Sequence, residues 1–320
     1  MMNKSFIRLL TISAMIPALI GLNSCRNDEP SVDPDIPVVP DIPVEPETPK
    51  YSENRLKHFE SEEVIEMAKR GGNKTVDDYY KSCEGLKGKA LKDELFKIVN
   101  ENKGFVSYGG LKEVYNRADV DPNNPNNILL CYTNESVPKI EDFTEKGSNV
   151  NREHVWPRSI GDLKPTDANS DAHMVRPIRY ALNTARGNLK FASIDHKSAQ
   201  DLGKGCYAND GSFDMPNFAK GDMSRTLFYM AVAYDFLELD KPSDTTKFNY
   251  WSASGEMGHF DHVYKWATDP TIDPIDKFEM NRNNIVDSDF QYNRNPFVDH
   301  PEFIEMIWDK TYDGPGALLD

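Results

Sequence analysis

The sequence predicts an α+β domain with helix in excess of strand. Three observations carry this. Residues 225–239 hold Leu227, Phe228, Met230, Ala231, Ala233, Tyr234 and Leu237, a mostly apolar stretch that suits a central buried helix. Ile128 to Tyr132 is a compact apolar run of strand length. Two short segments, 149–156 and 171–175, are separated by a turn-rich loop and fit two further strands.

In chain order, residues 61–70 read as a helix, with Ser61 as N-cap, Glu62 and Glu63 in the first turn, and Val64, Ile65 and Ala68 on one face. Gly71 ends it. Thr75 caps a second helix start, with Asp77 and Asp78 in its first turn. Residues 86–99 continue helical. Residues 119–127, rich in Asp, Asn and Pro, read as a loop before the strand at 128–132. After the strands at 149–156 and 171–175, Pro177 fits the first turn of a helix that runs to about Arg186, with Gly187 as its C-cap. Lys220-Gly221-Asp222 fits a turn and capping start ahead of the apolar helix. Residues 260–266 and 302–308 are the last helices.

The N-terminal region carries a different signal. Lys4 and Arg8 open a basic start, and residues 9–22 are a short apolar run ending in Leu22-Asn23-Ser24-Cys25. Residues 1–24 therefore read as a secretory signal, too short and wrongly flanked to span a membrane. A small residue followed by Cys resembles the lipobox of bacterial lipoproteins. On that reading Cys25 becomes the lipidated N-terminus of an exported protein held at a bacterial membrane, the outer membrane or cell surface. The alternative is ordinary cleavage near Ser24 with Cys25 free.

Residues 25–50 then form the anchor and a tether. Prolines at 34, 37, 40, 43, 46 and 49 recur every third residue, so they share one face of a polyproline II helix. At roughly 3.1 Å per residue the spacer extends roughly 75 Å. A Pro-x-x-Pro ligand for a partner domain is the other reading. Residues 51–320 suit one large domain with insertions, or two closely packed lobes.

The formal net charge is −15. That argues against binding through a globally basic surface and requires a local basic cleft for any nucleic-acid ligand. With Cys25 at the signal junction, Cys83, Cys131 and Cys206 allow at most one internal disulfide and have no zinc-ligand spacing. They read as buried thiols.

The chemistry concentrates in Asn151-Arg152-Glu153-His154-Val155-Trp156-Pro157, Asp171-Ala172-His173 and Asn183-Thr184-Ala185-Arg186-Gly187-Asn188. Glutamate is a hard ligand for Mg²⁺ or Ca²⁺, histidine accepts protons near neutral pH, and arginine holds phosphate. Together they suit phosphodiester hydrolysis. Against this stand the structural readings: an ion-paired Glu, a packing His, and an Asn that bonds within the fold. On a strand, consecutive Glu153 and His154 point to opposite faces, which is awkward for a shared site.

In these segments the chain resembles the endonuclease I family of bacterial secreted nucleases, part of the ββα-metal (His-Me finger) group. The likeness continues in Lys220 to Arg225, Arg282-Asn283, Gln291 to Phe297, Tyr79-Tyr80 and Gly85 to Gly88, and covers roughly residues 76–308. Ala172 departs from the family's Asp-Leu-His.

The resemblance implies a ββα-metal core embedded in a mainly helical domain. It implies metal ligation by Glu153 and Asn183, with Mg²⁺ as the ion and Mn²⁺ or Ca²⁺ as alternatives. His154 would be the base that activates water. Arg186 would either contact phosphate or pair with Asp171. His173 and Asp171 read as orienting or structural residues, and Asn188 as stabilising the turn after the helix. Arg294 and Asn295 either touch substrate or hold the C-terminal region, and His259 and His262, three apart at a metal-compatible spacing, read as surface or packing residues.

The expected activity is metal-dependent, low-specificity endonuclease cleavage of DNA or RNA leaving 5′-phosphates. No protein partner is implied. A non-catalytic nucleic-acid-binding or adhesion lipoprotein on the same fold is the alternative. A protease is a third reading, with no nucleophile motif behind it.

Overall fold

The computed structural model describes residues 75–141, 149–164, 166–240, 242–243, 246–247 and 255–314. The expected signal, Cys25, tether and helix at 61–70 lie outside these residues. Among the described residues no helix is long and apolar enough to cross a membrane.

The elements run α1 (Val76–Tyr80), α2 (Gly88–Glu101), α3 (Leu111–Ala118), β1 (Val120–Asp121), β2 (Asn124–Leu129), β3 (Ser136–Pro138), β4 (Val150–His154), β5 (Val175–Arg179), α4 (Tyr180–Arg186), β6 (Lys190–Phe191) and β7 (Gln200–Gly203). There follow β8 (Cys206–Ala208), β9 (Ser212–Asp214), α5 (Asn217–Ala233), β10 (Leu237–Leu239), β11 (Gly255–Met257), α6 (Phe260–Thr268), α7 (Lys277–Ile285), α8 (Pro296–Asp299) and α9 (Phe303–Trp308). The domain is α+β. Its strands form small sheets: β1-β2-β3, the pair β4-β5, β6-β9-β8-β7, and the pair β10-β11.

Several elements follow from local signals. Thr75 caps α1 through a reciprocal box, its hydroxyl accepting from the Asp78 amide at 3.1 Å while the Asp78 carboxylate accepts from the Thr75 amide at 3.3 Å. Helix α2 buries Leu91, Leu95 and Val99, four residues apart and so on one face. Helices α6 and α9 lie where the apolar spacing puts them.

Five expectations change. The loop expected over 119–127 contains β1 and most of β2. Asn123, Asn124 and Asn126 face water while Asp119 and Asp121 are buried, and the β2 backbone pairs between two neighbours, with Pro125 falling where the register shifts. The apolar strand expected over 128–132 ends at Leu129, and Cys131 turns so that its amide donates to the Pro177 carbonyl at 2.9 Å.

Residues 171–174 are a turn rather than a strand, because the Asp171 carboxylate accepts from the amides of His173 (2.8 Å) and Met174 (3.3 Å). Strand β5 therefore begins at Val175. Pro177 lies within it, opposite Arg152, and not in a helix. The Tyr180 amide bonds the Asn149 carbonyl, so in this alternating ladder the Pro177 nitrogen faces away from β4 and no rung is lost.

The central helix α5 starts at Asn217, not near Arg225, and ends at Ala233, after which Leu237 to Leu239 form a parallel strand with β11. Ala219 to Ala233 are buried throughout, and α5 packs on α2, α6 and β10. Its polar first half is satisfied by distant partners: Asp273 accepts from the Gly221 and Asp222 amides at 2.9 and 3.2 Å, and Lys220 pairs with Asp214 at 3.1 Å.

Gly221 is inside this helix because a Cβ there would run into the Asp273 carbonyl oxygen and the Arg225 guanidinium. Gly221→Ala, which gains helix propensity, is therefore expected to destabilise the fold by about 1–3 kcal/mol through overpacking. A urea midpoint at or above the parent's would refute the close approach.

Cys83 and Cys206 are buried thiols and Cys131 is half-buried; none of the three is in a disulfide.

Candidate active site

Strand β4 runs antiparallel to β5 with Glu153 opposite Arg176 and His154 opposite Val175, and α4 follows β5 without a loop. This arrangement brings the end of β4 against α4. Glu153, His154, Asn183 and Arg186 line one cleft of about 620 Å³, with Arg158, Ser159, Asp162, Lys164 and Asn188 on its walls. The strand-parity difficulty is resolved by position. His154 is the last residue of the strand, and the chain bends at Val155 and Trp156.

Glu153 is buried. Its Oε1 accepts from the Tyr132 hydroxyl at 2.7 Å and lies 3.4 Å from Arg186 Nε. Its Oε2 is buried and has no hydrogen-bond partner. Burial raises the Glu153 pKa above the usual carboxylate value, and Arg186 and Tyr132 pull it part of the way back. The protein alone thus leaves this carboxylate short of positive charge.

His154 is held by Nε2 at 3.0 Å from the Asn169 carbonyl oxygen. A carbonyl only accepts, so Nε2 carries the proton and Nδ1 is the accepting nitrogen of the neutral ring. Burial lowers the His154 pKa to about 4, helped by the charges of Arg158 and Arg186 and opposed by the Asn169 and Arg152 carbonyls. The ring is neutral at neutral pH.

Asn183, one turn into α4, donates from Nδ2 to the Arg152 carbonyl at 2.8 Å, which orients its Oδ1 as the amide's remaining acceptor. Arg186 does not pair with Asp171. It is buried on the same helix, and its Nη atoms donate to the carbonyls of His154 (3.1 Å), Gly187 (3.2 Å) and Val155 (2.8 Å).

A family model described as Endonuclease I matches residues 87–302. The chain belongs to the endonuclease I family. It is 36 % identical over 240 residues to an extracellular ribonuclease of Bacillus amyloliquefaciens, covering 73 % of this chain and 78 % of that protein. It is 37 % identical over 240 residues to an extracellular ribonuclease of Bacillus subtilis (strain 168), with 73 % and 79 % covered.

In this endonuclease I-family chain most of the motifs outside the cleft build a buried polar framework. The Asp171 carboxylate accepts from the hydroxyls of Tyr229 and Tyr234, both at 2.8 Å, and from Gln291 Nε2 at 2.9 Å. Burial raises its pKa, but Lys103, His173 and the two phenols outweigh this and bring it below the usual value. His173 sits against Tyr229 with Nε2 at 3.0 Å from the Asn293 carbonyl oxygen, and burial lowers its pKa to about 4. Neither residue lines the cleft.

Arg294 lies between Asp299, Asp287 and Asn284, and Asn295 caps α8, so both hold the C-terminal region. Asn188 is exposed in the turn after α4, at the cleft wall. Outside the cleft, His262 Nδ1 accepts from the Ser193 amide and His259 Nε2 meets Ser212 Oγ.

The sequence does not single out Tyr132, Asn169, Arg158 or Lys164 as site residues. Arg158 and Lys164 carry a weak signal, two cations just beyond His154. Asn169 acts through its main chain, which leaves no trace in residue type.

Proposed function

We propose that this chain is a metal-dependent endonuclease of low sequence specificity, built on a ββα-metal core of β4, β5 and α4. The observation that carries the reading is the buried, unpartnered Oε2 of Glu153, in one cleft with Asn183 and a neutral, accepting His154. Among the described residues no three His, Cys, Asp or Glu side chains converge as a metal cage. A cation held by Glu153 and Asn183 would therefore keep water and substrate oxygens in its remaining positions, which suits Mg²⁺, with Mn²⁺ or Ca²⁺ as substitutes. Bound there, it supplies charge neutralisation at the phosphate and the leaving 3′-oxygen.

The chain's own residues do the rest. His154 takes a proton from the attacking water at Nδ1, and the Asn169 carbonyl steadies the imidazolium that results. Arg186 acts as a positioning residue: it holds the carbonyls at the end of β4 and flanks Glu153. Arg158 and Lys164, on the cleft wall, face the phosphate with positive charge. Attack in this arrangement leaves a 5′-phosphate.

The relatives' names, both extracellular ribonucleases, support RNA as a substrate and export as the destination. Cys25 is the proposed lipid attachment at the membrane, with residues 26–50 as spacer.

The test is incubation of the full chain with plasmid and with structured RNA, with and without EDTA. Cleavage that EDTA abolishes is expected, and cleavage unaffected by EDTA would refute the metal requirement. Calorimetric titration with Mn²⁺ should show a site that weakens in Glu153→Ala and in Asn183→Ala. Parental binding by both variants would mean other ligands.

A further inference from the structure

The wall of the cleft continues beyond His154. Tyr108 lies against the imidazole, with ring centroids 5.9 Å apart and planes 21° from parallel. Two guanidiniums lie over the Tyr108 ring, Arg152 at 4.2 Å and Arg158 at 5.5 Å from its centroid. Going back along the chain from Tyr108, the loop reaches Phe105, whose side chain is 70 % exposed.

This loop is pinned. The Tyr108 carbonyl accepts from Arg152 Nε at 3.1 Å, the Val106 carbonyl from Ser170 Oγ at 2.5 Å, and the Gly104 amide donates to the Gln291 carbonyl at 2.6 Å. Gly104 places no side chain between the loop and Tyr292; a Cβ there would lie 2.9 Å from the Tyr292 ring. Tyr292 is itself 57 % exposed. It follows the π-helical turn Val286–Gln291 and has φ +56°, in the left-handed region. A bulky aromatic held there is a backbone outlier, and such outliers concentrate at functional sites.

We propose that Tyr108, Phe105 and Tyr292 form an aromatic track leading away from His154, on which unpaired bases of the substrate stack. The preferred substrate class is then single-stranded nucleic acid. This rests on the nuclease reading above and specifies its substrate. Every base has a π-face, so stacking is tolerant of sequence, and fixed aromatics beside cations are the usual platform for single strands. Arg152 and Arg158 stand where the backbone phosphates of such a strand would pass. A duplex keeps its base faces stacked inside and presents mainly its sugar–phosphate edge to the same surface. The strongly negative chain fits this mode, because stacking supplies affinity that a basic surface otherwise would.

The test uses the metal-free full chain in EDTA and two fluorescent probes, an unstructured oligouridylate and a fully paired RNA hairpin, read by anisotropy. Phe105→Ala and Tyr292→Ala should each weaken oligouridylate binding roughly five- to a hundred-fold, the range carried by a base–aromatic stack. Hairpin binding should barely move. Phe105→Trp should retain the affinity and Phe105→Leu, apolar but without a ring, should not. With Mg²⁺ added, the loss should appear in KM for single strands. Unchanged oligouridylate affinity in the double alanine variant, or an equal loss on the hairpin, overturns the track. Absence of cleavage by the parent protein would overturn the nuclease reading instead, and the binding series would still decide the track.

Discussion

Replacing His154 with alanine is expected to lower turnover by about 10²–10⁴-fold, the usual worth of a general base. The fold should survive, because His154 packs at the end of a strand whose partners are main-chain groups: Arg186 holds the carbonyls of His154 and Val155 whatever the side chain. The expected loss is in kcat, since the ring meets the attacking water and not the bulk of the substrate. Circular dichroism and the thermal transition should match the parent. Cleavage close to parental by a folded, pure His154→Ala protein would remove the imidazole from the reaction.

The second large effect is on stability. Arg225 is buried inside α5, with Nε and Nη2 at 2.8 and 2.7 Å from the two oxygens of Glu279 and Nη2 at 3.1 Å from Asp222. Burial alone lowers the Arg225 pKa; Glu279 and Asp222 more than reverse this, so the guanidinium stays charged. Arg225→Met keeps the volume but leaves the buried Glu279 carboxylate without the cation that bonds both its oxygens. A loss of about 3–5 kcal/mol is expected, the cost of breaking a buried pair from one side. For a domain of this size that corresponds to a Tm lower by roughly 6–20 °C. Differential scanning calorimetry measures it, and a Tm within a degree of the parent's would show that the network adds nothing to stability.

Arg225 also shows why the role of a motif is harder to read than its presence. Lys220 to Arg225, Arg282, Gln291 and Arg294 stand out as family-like residues, and nothing in their types separates a substrate contact from a buried ion pair. The structure makes them framework. Arg282, for example, reaches Asp119 at 2.9 Å across 163 positions of sequence. Arg186 is the same lesson inside the cleft. From sequence it reads as a phosphate contact or a partner of Asp171, whereas in the fold it is buried against main-chain carbonyls and Glu153.

The sequence by itself determined those features that nearest neighbours decide. The capping box at Thr75 and the apolar faces of α2 and α6 depend on residues within a few positions of one another. Their hydrogen bonds and spacing are the same in any context. Only the tertiary structure decided what depends on partners brought from far along the chain. The polar start of α5 is helical because Asp273 and Asp214 satisfy it, and β1 and β2 form within the stretch expected as loop because neighbouring strands pair with their backbone. The physical reason is common to both: a buried polar group or an extended backbone is stable only with its partner present, and local sequence does not record where that partner will be.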